Sequence, residues 1–291
     1  MTGRPTPGQR HAVVTGGGRG IGPPIARALG ADGLAVTVGD LDAGAAEEVA
    51  AGVLASGGAA TAHPLDVTST PSYSSFLSRA EQAHGPVDVL VSNAGVMWVG
   101  DFAAEPEEAA QRMVEVNLLG VVRGIKLVAP AMRARGSGHL VTVASVASRV
   151  APRGEALYAG TKHAVYGYCS AVRRELHGSG VDVSIVMPSV VTTDLAVGTD
   201  AGLVPRLAPQ DVARAVAGVV RRPRAEVTLP RRVAALSRAM AVLPPVLRDA
   251  VERRVVPDER RVTDVAGRAA YEARALRQPD PGSSTSSAAD R

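Results

Sequence analysis

The segment ALYAGTK (156–162) places Tyr158 four residues before Lys162, one of only two lysines in the chain. Ser145 lies thirteen residues ahead of that tyrosine, in VTVAS. On a helix, residues i and i+4 share a face, so phenol and ammonium would lie side by side. A free phenol, with a pKa of about 10, is a poor base at neutral pH. A neighbouring cation favours the phenolate and lowers that value. Such a pair could exchange a proton with a hydroxyl or carbonyl at ordinary pH. An incidental helical pair is the competing account, and the choice depends on what the rest of the chain can bind.

The best candidate for binding is TGGGRGIG (15–22), which follows the apolar run HAVVTG (11–16) and opens the helical IARALGADG. Gly16, Gly20 and Gly22 stand where backbone can approach a pyrophosphate closely, at the spacing G-x-x-x-G-x-G. Pro23 and Pro24 follow; proline is tolerated in a helix's first turn, where N–H groups lack intrahelical acceptors. Asp40 ends the next strand, eighteen residues past Gly22. A carboxylate there accepts from both hydroxyls of an adenosine ribose and repels a 2′-phosphate, at a cost of about 1–4 kcal/mol. Asp40 therefore favours NAD over NADP, although Arg19 pulls the other way. Aspartate is also a common turn residue, and GDLDAG would suit a turn.

The elements that must position these residues alternate along the chain. Strands are expected at 11–16, 34–40, 61–67, 87–95, 138–145, 181–188 and 225–230. Helices are expected after residue 22 and at 43–58, 71–84, 106–134, 156–180 and 208–222. The strands are short and apolar without clean period-two alternation, as in a parallel sheet covered on both faces. Right-handed crossovers then give a doubly wound α/β sheet of about seven strands, whose ligands bind beyond the strands' carboxyl ends. The glycine turn, Asp40, SNAG, Ser145 and PSVVTT all fall at those ends. Beyond Pro230, apolar residues continue at helical spacing through 231–255, broken by Pro244-Pro245, and 262–277 reads as one more helix. The chain thus divides into a dinucleotide-binding catalytic domain (1–230), a helical extension packed on it (231–277) and a polar Pro/Ser-rich tail (278–291) expected to be disordered.

Composition narrows the class. Apolar residues make up 46% of the 291 and aromatics only 3%, so Ala, Val and Leu must fill the core. No run approaches 18 apolar residues, no apolar stretch with a cleavage site opens the chain, and Cys169 is the lone cysteine, so a cytoplasmic protein is expected. The net charge of +4 is uneven: residues 221–291 hold fifteen arginines against nine acids. A solvated surface is the simpler account of that excess than a nucleic-acid site, since lysine is nearly absent throughout. An amphipathic helix on an anionic membrane is the other alternative, and Pro244-Pro245 interrupts it.

TGGGRGIG, NAG (93–95), Asn117 in VNLLG, Ser145 and Tyr158-x-x-x-Lys162 together resemble the short-chain dehydrogenase/reductase family, in its order and spacing, from about residue 10 to residue 230. The resemblance implies a Rossmann-like oxidoreductase, a homodimer or homotetramer with the Tyr158 helix at the interface. It implies a catalytic set of Asn117, Ser145, Tyr158 and Lys162. It also implies a cofactor-contacting set: Gly16, Arg19, Gly20, Ile21, Gly22, Asp40, Leu41, Asp66, Val67, Asn93, Ala94, Gly95, Tyr158, Lys162, Pro188, Val191 and Thr193. Hydride would pass between a nicotinamide cofactor and a secondary alcohol or ketone, with Tyr158 as general acid/base, Ser145 orienting the same oxygen, Lys162 holding the nicotinamide ribose and Asn117 supporting a water chain. One departure stands out: Pro188 is followed by Ser189 where the family has glycine.

Segment 189–207, rich in Val190, Val191, Leu195, Val197, Leu203 and Val204, would cover the substrate and suggests an apolar one. Met97 and Trp98 would border either that pocket or the core. Cys169 reads as a buried structural thiol, His163 as pointing away from the site, and the remaining histidines lack metal-ligand spacing. A dinucleotide-binding sensor or scaffold without turnover is the alternative function. Such a protein has no use for Ser145, Tyr158 and Lys162 together.

Overall fold

The computed structural model describes residues 8–202, 204–241 and 243–276. Seven parallel strands form one sheet in the order β3-β2-β1-β4-β5-β6-β7. They are β1 (His11–Thr15), β2 (Ala35–Asp40), β3 (Ala59–Pro64), β4 (Val89–Ser92), β5 (Gly138–Val143), β6 (Val181–Pro188) and β7 (Glu226–Leu229). The helices between them are α1 (Gly22–Ala31), α2 (Ala43–Ala55), α3 (Thr70–His84), α4 (Glu107–Met113), α5 (Gly120–Arg135), α6 (Ala156–Glu175) and α7 (Pro209–Arg221). Strand order reverses between β1 and β4, and a crevice opens there beyond their carboxyl ends.

The missing period-two pattern has its expected cause. Alternate strand residues serve two separate cores, because both faces of the sheet are covered. Val13 and Leu90 pack on one side with Tyr73, Phe76, Ile125 and Met132 from α3 and α5. Ala12, Val14, Val89 and Val91 pack on the other with Ile25, Leu29, Val49 and Val216 from α1, α2 and α7. Only small and branched aliphatic side chains fill the second core, in keeping with the shortage of aromatics.

Three boundaries differ from the sequence expectation. Strand β3 starts at Ala59 and stops at Pro64, because it follows the register of β2 from Ala35↔Ala59 to Asp40↔Pro64. Pairing overrides the poor strand propensity of its alanines. Helix α6 ends at Glu175, not at 180: Gly178 and Gly180 both take positive φ to lead into β6. A side chain at Gly180 would meet the Gly136 carbonyl oxygen at 1.9 Å. The expected helix 106–134 is broken by a π-helical segment, Val114–Leu119, between α4 and α5.

Beyond β7 lie α8 (Arg231–Ala241), α9 (Pro245–Val255), α10 (Glu259–Val262) and α11 (Val265–Ala275). The expected break at Pro244-Pro245 separates α8 from α9. The tail 278–291 lies outside the described residues. Helix α11 is held to the body of the fold by Arg268, which is 1% exposed. Its guanidinium donates to Glu272 at 3.1 Å, to the carbonyls of Leu195 and Val197 at 3.0 and 2.7 Å, and to the carbonyl of Met97 at 2.9 Å. Tyr271 beside it accepts from the Met97 N–H at 3.0 Å. This arginine departs from the expectation that the C-terminal positive charge is a solvated face.

Replacing Arg268 by methionine keeps the bulk but strands three inward-facing carbonyls and Glu272. A loss of about 3–5 kcal/mol of unfolding free energy is expected, measured by urea denaturation, together with exposure of segment 195–199 to limited proteolysis. Unchanged stability would mean that water replaces the guanidinium at little cost.

Candidate active site

The crevice is assembled by direct contact between the glycine turn and the end of β4. A side chain at Gly16 would meet the Ala94 Cα at 2.6 Å, and one at Gly22 would meet the Gly16 carbonyl oxygen at 2.3 Å. Gly16 and Gly20 both hold φ of 60°, in the left-handed region that favours glycine. The Asn93 amide donates to the carbonyls of Thr15 and Gly16 at 3.1 and 2.8 Å. The Thr15 hydroxyl accepts from the N–H groups of Asn93 and Ala94. Asn93 and Ala94 therefore brace the turn, and Thr15, unnoticed in the sequence, is the hub between them.

The turn is also tied to β2. Gly17 donates to the Gly39 carbonyl, and Gly18 donates to Asp40 Oδ2 at 2.9 Å. Asp40 Oδ1 accepts from the Asp42 N–H at 3.0 Å, so Asp40 serves the turn that GDLDAG suggested as well as facing the crevice. Asp42 caps α2 and pairs with Arg19 at 2.5 Å. Arg19, the residue that argued for a 2′-phosphate, is paired in the free protein with a carboxylate at the surface. Gly17 and Gly18 are as constrained as the three spaced glycines, since a Cβ would strike Val38 at 2.5 Å and Ala45 at 2.9 Å. Pro23 and Pro24 bring no N–H to the first turn of α1. An anion at this helix end is left with N–H groups of the turn itself.

Of the remaining expected cofactor contacts, Leu41 is exposed beside Asp40. Asp66 accepts from the N–H and hydroxyl of Thr68, and Val67 is buried with its carbonyl taken by Arg123. Pro188, Val191 and Thr193 line the far wall, and a Cβ at Gly20 would touch Thr193 at 3.6 Å. The residues present fit a dinucleotide: a small-residue cradle for a pyrophosphate, a carboxylate at the end of β2, and a cavity between the strand ends.

That cavity, of about 230 Å³, is lined by Ile21, Asn93 and Gly95 at one end. Ser145, Tyr158 and Lys162 stand on its wall. Ser145 begins the turn after β5, its hydroxyl accepting from the Ala147 N–H at 3.1 Å. Tyr158 and Lys162 share the buried face of α6, with the ammonium 5.6 Å from the centre of the phenol ring. Asn117 lies in the π-helical segment and is 1% exposed. Its amide accepts from the Val96 N–H at 2.8 Å and donates to the Val96 carbonyl and Thr161 Oγ1 at 2.9 and 3.3 Å. Asn117 thus closes two hydrogen bonds with the backbone that follows β4, from within the π-helical segment.

The ionisation pattern corrects a simple expectation. In the protein by itself Tyr158 is pushed up from the ordinary phenol value, not down. Burial is the main cause, followed by the negative Glu155; the Ser145 hydroxyl is the neighbour that favours the phenolate. Burial also pushes the Lys162 ammonium down to about 8, with no carboxylate beside it to hold its charge. Proximity to a cation is outweighed because both groups are desolvated together.

Apolar walls complete the cavity. Val190, Val191, Leu195 and Val204 come from the 189–207 segment, whose base is closed by a Val191↔Leu207 bridge. Val197 is instead 40% exposed, and Leu203 lies outside the described residues. Helices α8 and α9 add Val233, Leu236, Met240 and Val255. Met97 lines the cavity, whereas Trp98 packs against the core. Cys169 is buried, and burial pushes its thiol up to about 11. His163 bonds back to the Ala159 carbonyl. Asp194 pairs with Arg274 of α11 at 2.9 Å, and the Asp200 N–H donates to the buried Glu259.

Comparison with known proteins agrees with this construction. A family model described as short chain dehydrogenase matches residues 10–202. The ketoacyl reductase HetN of Nostoc sp. is 34% identical over 223 residues, covering 75% of this chain and 77% of that protein. An alcohol dehydrogenase from the archaeon Thermococcus sibiricus, solved with 5-hydroxy-NADP, superimposes with a TM-score of 0.69 at 30% identity, over 76% of this chain and 96% of that one. A short-chain dehydrogenase/reductase from Burkholderia phymatum, solved with NAD, shares the fold with a TM-score of 0.75 at 24% identity, over 86% and 96% of the two chains. The chain belongs to the short-chain dehydrogenase/reductase family of oxidoreductases.

Proposed function

We propose that the protein interconverts an apolar secondary alcohol and its ketone, with Tyr158 as the proton donor and acceptor and NAD(H) as the preferred cofactor. The observation that carries this reading is the meeting of Ser145, Tyr158 and Lys162 on the wall of one apolar cavity that runs to the glycine turn. A bound nicotinamide supplies hydride transfer, which no side chain can perform. The chain's own residues handle the oxygen. Ser145 and Tyr158 hydrogen-bond the carbonyl, and the phenolic proton moves to that oxygen as the carbon becomes tetrahedral. A phenol raised by burial is protonated at neutral pH, so the resting site is set to donate. Lys162, buried and positive below about pH 8, stabilises the phenolate left behind and reaches toward Gly95, where the nicotinamide ribose would lie. Asn117 positions the Gly95–Val96 backbone.

Preference for NAD(H) is supported by the Asp40 carboxylate at the end of β2, with the guanidinium of Arg19 engaged by Asp42. The related proteins include complexes with either cofactor, so the preference is read from these residues alone. We take residues 1–230 as the catalytic unit and 231–276 as an extension that completes the substrate wall.

Tyr158→Phe should lower kcat by a factor of about 10²–10⁴ while NADH still binds with similar affinity by fluorescence titration. Retained turnover would remove Tyr158 from the mechanism, and tight NADH binding without turnover by the native protein on any carbonyl or alcohol would point to the sensor reading. For the cofactor, kcat/KM should favour NADH over NADPH by at least about fivefold, the low end expected from Coulomb repulsion at the ribose. Asp40→Ser should narrow that ratio, and an equal ratio in the two proteins would place discrimination elsewhere.

A further inference from the structure

Glu155 holds the N-cap position of α6, where a carboxylate ordinarily accepts from first-turn N–H groups. Its side chain makes no capping bond. It lines the cavity instead, three residues ahead of Tyr158 and on the same side of the helix. The charged groups nearest it are already committed. Glu259, entering from α10, accepts from the Asp200 N–H and the Thr263 hydroxyl. Arg268, from α11, is saturated by Glu272 and three carbonyls. Among the described residues, nothing donates to the Glu155 carboxyl. Burial, with Glu259 adding to it, pushes that carboxyl up to about 7. The side chain is half-buried, so water reaches it while the cavity is empty. An apolar ligand that fills the cavity excludes that water and leaves the carboxyl without a partner, which is unfavourable. The penalty is relieved when a ligand brings a donor.

We propose that Glu155 is a specificity-determining residue, and that the substrate is an apolar alcohol or ketone carrying a second hydrogen-bond donor, a hydroxyl or an amine, which Glu155 accepts. The inference rests on the reading of Tyr158 and Ser145 as the place where the reacting oxygen lies. A plain hydrocarbon ketone would leave Glu155 buried and unpaired. Sites built to bond a polar group reject analogues that lack it far more strongly than apolar pockets reject a missing methylene.

The test compares cyclohexanone with its 2-, 3- and 4-hydroxy and 4-amino analogues, using NADH, in the native protein, Glu155→Gln and Glu155→Leu. Thermal melts establish that each variant is folded. The native protein should favour at least one hydroxylated ketone over cyclohexanone by about tenfold or more in kcat/KM. Glu155→Leu should abolish that ratio. Glu155→Gln, which still accepts, should keep the hydroxyl preference and lose the amine preference. Ratios within one variant cancel any effect of Glu155 on the ionisation of Tyr158. Calorimetry of 1,2-, 1,3- and 1,4-cyclohexanediol against cyclohexanol, on protein without cofactor, gives a readout independent of turnover, with the same order of preference expected. No preference in the native protein by either method, or an unchanged ratio in Glu155→Leu, overturns the inference. Neither result touches the proposed chemistry, which is tested separately by turnover of the native protein and by Tyr158→Phe.

Discussion

The site depends on backbone approaching backbone at the point where the strand order reverses. β1 and β4 are neighbours in the sheet, and the loops leaving them are forced together as soon as the strands end. Gly16 and Ala94 are in van der Waals contact with no room for a further carbon. The Thr15 hydroxyl and Asn93 amide then satisfy main-chain groups that the sheet no longer pairs. Were these groups left without partners, the crevice would have to fill with water or collapse. The same contact fixes Gly95 and Val96, and through Val96 it fixes Asn117 in its π-helical segment. The π-helical segment is thus tied to the strand ends through one buried amide.

Burial acts on the chemistry in two opposing ways. It brings Tyr158, Ser145 and Lys162 into a dry cavity where each interaction counts for more. It also penalises every charged form, raising the phenol and lowering the ammonium together. A site that needs one of these groups charged must therefore supply compensation from a bound partner. In this protein Glu155 adds a third desolvated group on the same wall, and its negative form works against the phenolate. Tyr158, Lys162 and Glu155 are each moved away from their ordinary values mainly by burial.

Much of this was legible in the residue order. The seven strands, the carboxyl-end placement of the glycine turn, Asp40, SNAG and Ser145, and the pairing of Tyr158 with Lys162 follow from apolar runs and helical spacing, while the meeting of Ser145 with that pair is implied by the family resemblance. What could not be read arises from contacts between distant segments. No pattern within 106–134 announces a π turn, and the partner that Asn117 bonds from it, the Val96 backbone, lies twenty-one residues upstream. The strand at Ala59–Pro64 takes its ends from β2, not from its own alanines. Spacing reveals the Lys162 neighbour of Tyr158 but not the loss of water around both, which pushes the phenol up in the protein by itself. Arg268 looked like one more surface arginine in a basic stretch, and only the three carbonyls that surround it show otherwise.

Arg268 also shows how a C-terminal extension enters the substrate wall without contributing to the sheet. Segment 195–199 has few backbone bonds of its own, chiefly the short turn at Asp194–Ala196. The carbonyls of Leu195 and Val197 turn toward α11, where the buried guanidinium collects them together with that of Met97, while Arg206 takes those of Ala196 and Thr199. A second tether runs from the Asp264 N–H to the Gly198 carbonyl, and a third from the Asp200 N–H to Glu259. The covering segment is therefore hung from the extension as much as from the strand it follows. Its position relative to Tyr158 is set by a cation whose own charge is balanced by Glu272 on the same helix. Changes in α11 would reach the cavity through these carbonyls, while the glycine turn, held by β2 and β4, would stay as it is.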